Sequence, residues 1–505
     1  MRELLTDAVS DCPGVMAVLV LLFVQLFSLS IATETKPACT IRITSSGLDL
    51  IRQEGLNFVA EELENITIPE LSGKEGNFHY NIRDVRIVDL NLSSAALLFH
   101  PNTGLCFQVH NSSISITFHR KLFYWLFHDV GQVNASADGV SFETVLMLGR
   151  NAAGRLKITN MTCTAAISSL TAQFSGTLKS VYQIMSVFLT MGIRFLLNKQ
   201  ICPVLSHAAL VSLNTMMDTV PVRTPVDKYV GIDYSLLSDP KVMSDRLDMD
   251  FRGMFYPLEN ENETLAYRGV VPVVKEMNRM LHMAVSEYFF DSAMFAYYTA
   301  NVLRIQIPES QMSLDFAYLL RTTFFGAIVF QAPVTSPTKA PLLLELSVTA
   351  PPHCTIKPSG VMVSVSALMN VLLVPSNSPT VTLATIIMEA KLSAQVTMKS
   401  KSLSIKLDLK RFKMFSPKST LESLALIPLQ TPVKAFLKVS ILPIVNKRTM
   451  RGVQIPLPEG IDLIKEVMEN HMGFLTIGAD LHFYKGLREV IEMNKQVQRN
   501  GSTTA

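Results

Sequence analysis

Residues that could perform covalent catalysis are present, but they form none of the usual local motifs. The sequence has no G-x-S-x-G nucleophile motif, no H-E-x-x-H zinc motif, no Walker loop and no G-x-G-x-x-G phosphate loop. Its ten histidines are scattered from His79 to His482, without a pair at metal-ligand spacing beside a carboxylate. We therefore expect no catalysis, no metal centre and no cofactor. A secreted lipase stays open as an alternative, because a catalytic triad assembles in space.

The single tryptophan of the chain lies in an aromatic segment that runs from Lys121 to His128. Both alternating faces of this segment are apolar, so two interpretations remain open. The segment is either a strand buried on both faces or an exposed tip that enters a membrane interface, where indole and phenol rings are favoured. In the second case we expect Arg120, Lys121 and Trp125 to contact the membrane.

The densest run of positive charge extends from Lys399 to Lys413. Lys406 and Lys410 alternate with apolar residues, which is the pattern of a half-buried strand with one solvated face. A weak attraction to an acidic lipid surface is the alternative interpretation.

The elements that position these residues occur in the same order twice. An amphipathic helix is predicted from a serine cap at Ser45 to Leu63, then antiparallel strands to about Cys163, then a long helix that is interrupted at Pro203. Beyond residue 272, a helix, several strands, a helix that begins at Thr431 and a last strand follow. The architecture repeats although the residues of the two halves do not match.

Composition limits the class of protein. The 505 residues include 45 Lys and Arg and 42 Asp and Glu, with 48% apolar and only 17% charged residues. A net charge of +3 argues against nucleic-acid binding, and the apolar content argues against disorder. Outside the N-terminus, no stretch of about 18 residues is free of charge and proline, as a membrane span requires. The excess apolar surface must be buried or must bury something else.

The N-terminus indicates the secretory pathway. An apolar run from Val15 to Phe27, followed by small residues up to Ala32, predicts a signal peptide over residues 1–32, with an uncleaved anchor as the alternative. We therefore expect a secreted, extracellular glycoprotein. Seven N-x-S/T sequons are candidate glycosylation sites, at Asn65, Asn91, Asn111, Asn134, Asn160, Asn262 and Asn500.

Five cysteines remain after removal of the signal peptide, an odd number without a C-x-x-C pair. We expect one bridge and isolated buried thiols, and the spacing alone does not identify the bridged pair. The predicted boundaries are a first domain over residues 33–252, a polar linker over 253–272, a second domain over 273–486 and a flexible tail over 487–505.

Several motifs, in this order along the chain, resemble the family of bactericidal/permeability-increasing and lipopolysaccharide-binding proteins. Phospholipid and cholesteryl ester transfer proteins are expected to be more distant relatives. The resemblance covers nearly the whole mature chain. The motifs are Ile41–Asp49, Ile68-Pro69, Gly231–Leu236, Ser286–Asp291, Ala350–His353, Ile455–Pro458 and Gly478–Asp480.

The resemblance implies an α+β fold shaped as an elongated, two-domain boomerang. Each domain would be a twisted antiparallel β-barrel wrapped around a long helix, with a central sheet between the two. It also implies that Cys163 and Cys202 form the disulfide, which leaves Cys39, Cys106 and Cys354 unpaired.

Each barrel of that family holds a lipid, with the acyl chains inside. An apolar slot of this kind fits the apolar excess of the sequence. We expect Leu48, Ile51, Val59, Phe188, Met191 and Phe195 to line the first pocket, and Phe289, Ala293, Ala296 and Phe436 to line the second.

One departure from the family affects the expected ligand. Endotoxin-binding relatives carry lysine-rich segments at the tip of the first barrel, whereas residues 61–67 here are acidic and only Arg120 and Lys121 are charged near Trp125. We therefore expect a carrier of phospholipid or another acyl lipid, with a role in innate-immune lipid recognition and no nucleic-acid partner. The alternatives are a lipopolysaccharide-binding or bactericidal protein that contacts a membrane surface, an interaction protein with solid barrels, and the lipase.

Overall fold

The computed structural model describes residues 36–92, 94–173, 179–328, 340–375, 379–417 and 426–501. From Pro37 onward the chain forms one compact unit, which contains two curled antiparallel sheets and a central sheet. The predicted α+β class is therefore confirmed. The predicted signal peptide lies outside the described residues.

The first curled sheet holds six of the described strands in the order β2-β3-β5-β6-β7, with β4 paired to β5. Its inner face carries alternate residues of β5, including Ile114, Ile116 and Phe118, which are buried as their spacing predicts. Register shifts interrupt several of these pairings and let long strands bend. The strands are β2 (Leu71–Glu75), β3 (Phe78–Asn91), β4 (Ser94–His100), β5 (Gly104–Tyr124), β6 (Phe127–Arg150) and β7 (Leu156–Gln173).

The second curled sheet has the order β14-β15-β17-β18-β19-β20, with β16 paired to β17. Its longest strands are again consecutive and antiparallel, so each half is built by the same principle. The strands are β14 (Arg304–Pro308), β15 (Leu342–Val348), β16 (His353–Lys357), β17 (Gly360–Leu373), β18 (Val381–Lys399), β19 (Ser402–Phe415) and β20 (Val453–Gln454).

The central sheet joins the halves, because β1 of the first half pairs with β13 of the second. Its order is β10-β11-β1-β13-β22-β21, and every residue of β13 is buried. A small sheet with the order β12-β9-β8 completes the centre. These strands are β1 (Cys39–Thr44), β8 (Arg223–Pro225), β9 (Val230–Asp233), β10 (Lys241–Val242), β11 (Arg246–Phe251), β12 (Met254–Pro257), β13 (Leu281–Ser286), β21 (Ile461–Asn470) and β22 (Phe474–Phe483).

Helices connect and line the sheets. Within the described ranges, no helix combines the length and the apolar character needed to cross a bilayer. The α-helices are α1 (Ser45–Glu64), α2 (Lys179–His207), α3 (Asn214–Asp218), α4 (Glu287–Thr299), α5 (Leu314–Ile328), α6 (Ile427–Phe436), α7 (Leu442–Thr449) and α8 (Leu487–Gly501). Helix α1 lies within one residue of its predicted bounds. However, Ser45 does not cap it: Thr44 is the N-cap residue, and its hydroxyl donates to the Arg279 carbonyl oxygen at 2.7 Å.

Two features of the predicted domain organisation differ from the structure. Most of the first five residues of the linker predicted over residues 253–272 form strand β12, which pairs with β9, and a long irregular stretch follows from Leu258. Within the tail predicted to be flexible, residues 487–501 form helix α8. Val490 and Ile491 of α8 are buried, because the apolar residues of this helix recur at helical spacing. Ile491 packs with Phe58 and Ala208 of the first half, and Val490 belongs to the core around the central sheet.

Candidate lipid-binding site

Helix α2 lies against the inner face of the first curled sheet. Its packed side repeats every four residues, as one side of a helix must when a sheet covers it. The residues on this side are fully or almost fully buried against β3, β5, β6 and β7. They are Leu189, Ile193, Leu197, Ile201 and Leu205.

The predicted lining residues of α2 lie on a different side of the helix. Met191 and Phe195 are 55% and 63% exposed, and Val187, one turn before Met191, is 54% exposed. Met191 and Phe195 therefore lie away from the side of α2 that packs on the sheet, and their role in lining a first pocket stays a prediction. The side chain of Phe188 lies outside the described residues. We call the exposed series Val187, Met191 and Phe195 the apolar stripe of α2.

Helix α1 contributes the other three predicted residues to three different places. Leu48 packs with Leu236 near the start of the helix, whereas Ile51 contacts the core of the central sheet and Val59 contacts the core of the first curled sheet. Ile51 and Val59 are half-buried. Helix α1 therefore runs from the central sheet to the first curled sheet. Its apolar residues contact both sheets and stay partly exposed.

The disulfide has the partners that the family resemblance implies. Cys163 of β7 and Cys202 of α2 are bonded, with Cα atoms 5.7 Å apart. The bridge holds the long helix against the sheet edge. Cys39, Cys106 and Cys354 are free and buried. Burial raises the pKa of the Cys39 thiol to about 12 and also raises that of Cys354, so neither is a nucleophile near neutral pH.

The residues predicted for the second pocket do not come together. Phe289, Ala293 and Ala296 of α4 belong to the core around the central sheet. Phe436 of α6 instead packs inside the second curled sheet, where its ring stacks on Phe316 with centroids 4.4 Å apart. Residues of α5 and α6 therefore contribute to the core of the second curled sheet.

Both halves attach their last helices to a sheet edge in the same way, which the sequence did not suggest. A π-helical turn, Ala208–Leu213, precedes Asn214, whose side chain accepts from the Ile158 amide at 2.9 Å and donates to the Ile158 carbonyl at 2.9 Å. In the second half a π-helical turn, Leu437–Ile441, precedes α7, where Asn446 makes the same two bonds to the backbone of Leu407 at 2.8 and 3.0 Å. Each amide replaces a neighbouring strand at its sheet edge.

The aromatic segment is the hairpin between β5 and β6. Trp125 and Leu126 form its turn, with Trp125 76% exposed and Leu126 fully exposed. Phe123 and Trp125 line an open cleft of about 660 Å³ beside His79 and Asn77. The alternative of a strand buried on both faces is therefore excluded, and the geometry is that of an exposed tip.

Arg120 is not part of that exposed tip. Its side chain is buried on the inner face of β5, and its Nε lies 2.8 Å from Oδ2 of Asp129 on β6. The prediction that Arg120 contacts a membrane is wrong, because the strand alternation that leaves Lys121 half-buried on the other face turns Arg120 inward. Of the three predicted membrane contacts, Trp125 is exposed at the tip and Lys121 is half-buried four residues earlier on β5.

The described sequon asparagines are accessible. Asn65, Asn91, Asn111, Asn134, Asn160 and Asn262 are all exposed, so each could accept a glycan. The side chain of Asn500 lies outside the described residues.

Among the described residues, one group of side chains has the spacing of metal ligands. Ligand atoms of Glu276, Glu469 and His471 lie within 4.8 Å of one another. His471 is already engaged by the Thr476 hydroxyl at 2.9 Å and lies 3.6 Å from Glu276. This arrangement is explained by local ion pairing and assigns no metal chemistry to the site.

Models of two domains of one protein family together match most of the described chain. Residues 47–216 match the N-terminal domain of the LBP / BPI / CETP family, and residues 224–483 match its C-terminal domain. The chain belongs to this family. Its members include proteins named for the lipids that they bind or transfer, so the chain is a member of a lipid-binding family.

Individual relatives refine this placement. The chain is 52% identical to human phospholipid transfer protein over 467 residues, which cover 92% of this chain and 94% of the relative. It is 50% identical to the mouse phospholipid transfer protein over 459 residues, covering 91% and 93%. Human BPI fold-containing family C protein is 26% identical over 454 residues, covering 88% and 89%. The expectation that transfer proteins are the more distant relatives is therefore wrong.

A solved structure supports the fold. The crystal structure of lipopolysaccharide binding protein superimposes with a TM-score of 0.60, covering 89% of this chain and all of the other, at 20% sequence identity. At this identity the likeness shows the architecture alone.

Proposed function

We propose that this protein binds phospholipid by its acyl chains and carries it between lipid surfaces, without covalent chemistry. The observation that carries the proposal is the apolar stripe of α2. Val187, Met191 and Phe195 expose three large apolar side chains on α2, away from the series of this helix that is buried against the first curled sheet. Exposed apolar surface of this kind is stabilised by an apolar ligand. The likeness to phospholipid transfer proteins over more than nine-tenths of the chain supports the same ligand class.

Acyl chains supply enough free energy for such a complex. Each buried methylene contributes about 0.8 kcal/mol, so a lipid with two 16-carbon chains could gain on the order of 20 kcal/mol before ordering costs. The half-buried apolar side of α1, with Ile51 and Val59, extends the surface that such chains could cover. In the second half, we propose that a second lipid lies beside α5 and α6, near Phe436.

The exposed tip supplies a means of contact with a lipid surface. Trp125 and Leu126 are too exposed in the described structure to contribute to its core. An indole ring is favoured at a membrane interface, and the half-buried Lys121, four residues earlier on β5, could extend its amine to the headgroup region. We propose that the tip touches the donor or acceptor surface while lipid exchanges.

Secretion agrees with this role. The disulfide and the six exposed sequons suit an oxidising compartment with glycosylation, and the predicted signal peptide would deliver the chain there. Lipopolysaccharide recognition is less well supported, since the ion pair with Asp129 removes Arg120 from the surface and Lys121 is the remaining cation of the tip segment.

The test measures lipid content and transfer in matched variants. Met191→Glu with Phe195→Glu places two charges on the apolar stripe without disturbing a packed residue, so the fold should persist. Val88→Glu alters an equally exposed apolar residue on β3 and serves as the control.

We expect the stripe variant to lose most of the phospholipid recovered by organic extraction and most transfer between vesicles, whereas the control keeps both. The extracted lipid should have intact ester bonds. Equal lipid content in the two variants, or recovery of hydrolysed lipid, would contradict the proposal.

A further inference from the structure

Positive charge is concentrated in one part of the second half. Residues 391–451 contain thirteen Lys and Arg and two acidic residues, a net charge of +11. The whole chain carries only +3, so all other residues together carry −8. Charge that is separated to this degree creates a local field that the overall net charge does not reveal.

The fold brings cations of a strand and of a helix together. On β19, Lys406, Lys410, Arg411 and Lys413 are exposed on the outer face of the second curled sheet. Residues from α6 to α7 run along the edge of the same strand. Asp408 joins the two sets, because its carboxylate oxygens lie 2.9 Å from Lys410 Nζ and 3.2 Å from Lys438 Nζ.

Most of these cations keep their charge available. Within the described part of the chain, no carboxylate oxygen lies within 4.0 Å of the charged nitrogens of Lys406, Arg411 or Lys413. Glu389, which is opposite Lys413 on β18, and Asp408 are the acidic residues of these two strands. On α7, Lys447 and Arg448 are also exposed.

Apolar side chains lie exposed between the helical cations. Val439 is 76% exposed and Ile444 is also exposed, and they stand between Lys438 and Lys447 along the helix. The opposite side of this helical segment packs into the core through Val433 and Phe436. An exposed helix side that mixes cations with aliphatic residues is typical of segments that lie in a membrane interface.

We propose that this surface docks on anionic phospholipid membranes. We call it the basic face, and it consists of Lys406, Lys410, Arg411 and Lys413 of β19 together with Lys438, Val439, Ile444, Lys447 and Arg448 of the helical segment. Its lysines and arginines would be attracted to acidic headgroups, while Val439 and Ile444 enter the boundary with the acyl chains. A sulfated polysaccharide would require the charge but would leave the two aliphatic residues without a role. The inference goes beyond lipid transfer, because docking can be measured without transfer and is separate from the apolar tip at Trp125.

The experiment compares three variants of the full-length chain. The first removes three cations of β19 (Lys406→Gln, Arg411→Gln and Lys413→Gln). The second removes the aliphatic residues (Val439→Ser and Ile444→Ser). The control removes three exposed cations that lie outside the basic face (Lys74→Gln, Lys275→Gln and Lys357→Gln).

Binding is measured by co-sedimentation with vesicles of phosphatidylcholine containing about 30% phosphatidylserine, and with vesicles of phosphatidylcholine alone. Each cation at an acidic surface is worth about a fivefold change, so the first variant should bind the mixed vesicles about 100-fold more weakly. It should bind pure phosphatidylcholine like the parent. The control triple variant should lose less than about threefold, because distant charges are screened. The second variant should lose several-fold on mixed vesicles and keep its affinity for heparin.

Three results would overturn the proposal. Binding of the first variant to mixed vesicles could equal that of the parent, or the two triple variants could weaken equally, which would reduce the effect to net charge. Alternatively, the first variant could lose heparin binding while the second binds mixed vesicles like the parent, which would assign the face to a polysaccharide. Unchanged thermal unfolding midpoints would show that each variant is folded.

Discussion

Replacement of Trp125 by serine isolates the contribution of the tip to membrane binding. A tryptophan side chain can bury about 200 Å², and Trp125 is 76% exposed, so about 150 Å² is available for transfer. At about 25 cal/mol per Å², complete burial would contribute about 4 kcal/mol. A ring at the interface keeps roughly half of its surface in contact with headgroups and water, which leaves about 2 kcal/mol. The variant should therefore bind phosphatidylcholine vesicles about 30-fold more weakly.

Two measurements check this prediction. The parent contains no other tryptophan, so its emission should shift to shorter wavelength as vesicles are added. Vesicle flotation then gives the affinities of the parent, of Trp125→Ser and of Val88→Ser, an exposed apolar position on β3 that should bind like the parent. An affinity of Trp125→Ser within twofold of the parent, or an emission maximum that does not move, would refute the assignment of the tip.

Three further predictions concern stability. Cys202→Ser removes a bridge that closes a loop of about 40 residues, so urea unfolding should show that the free energy of unfolding falls by about 4 kcal/mol. Reduction of the parent should lower its free energy of unfolding equally, and reduction of the variant should cause no further loss. Asn214→Leu leaves the backbone amide and carbonyl of Ile158 without these partners, so the free energy of unfolding should fall by about 2 to 4 kcal/mol, whereas no change would exclude the edge role. Burial lowers the pKa of His282 from its ordinary 6.5, so between the two pKa values the folded state holds a neutral ring while the unfolded state binds a proton. The free energy of unfolding should therefore be highest above about pH 6.5 and should fall as the pH decreases toward the lower pKa of the folded state. His282→Gln should flatten this part of the profile, and an unchanged slope would contradict the assignment.

The half-buried strands were the most predictable part of the fold. Ile114, Ile116 and Phe118 alternate with polar residues, and one side of their strand packs inward as that period requires. The recurrence of helix, strands and long helix also holds in the structure. It follows from two curled sheets that share one central sheet through the pairing of β1 with β13.

The orientation of α2 could not be read from its sequence. Residues on nearly every side of this helix are apolar, so the series ending in Met191 and Phe195 and the series through Ile193 and Leu197 both have helical spacing. Packing selects the second series, which faces the sheet. Periodicity finds such a helix but does not choose between two apolar sides.

The residues predicted to line the second pocket fall in two separate cores, because the two halves differ in helix length. Helix α1 has 20 residues and is about 30 Å long, which lets it reach from the central sheet to the first curled sheet. Helix α4 occupies the equivalent place after β13, but its 13 residues span only about 20 Å and end within the central core. The order of elements does not reveal this difference in reach.

The tip and the Asn214 and Asn446 contacts depend on geometry that has little local signal. Trp125 adopts a positive φ of 56° in its turn. Glycine or asparagine at such a position is the usual sequence signal of a hairpin, and neither is present here. Asn214 and Asn446 bond to a sheet edge, and a π-helical turn precedes each helix that carries them. Neither arrangement follows from residue types alone.

The central claim is that the chain shelters acyl lipid, and native mass spectrometry of the purified, full-length protein tests it most directly. The account predicts that the intact chain carries one or two added masses, each equal to a phospholipid, and that collisional activation releases them without cleavage of their ester bonds. A protein that is found only at its own glycosylated mass, and that takes up no phospholipid after incubation with vesicles, would contradict the account.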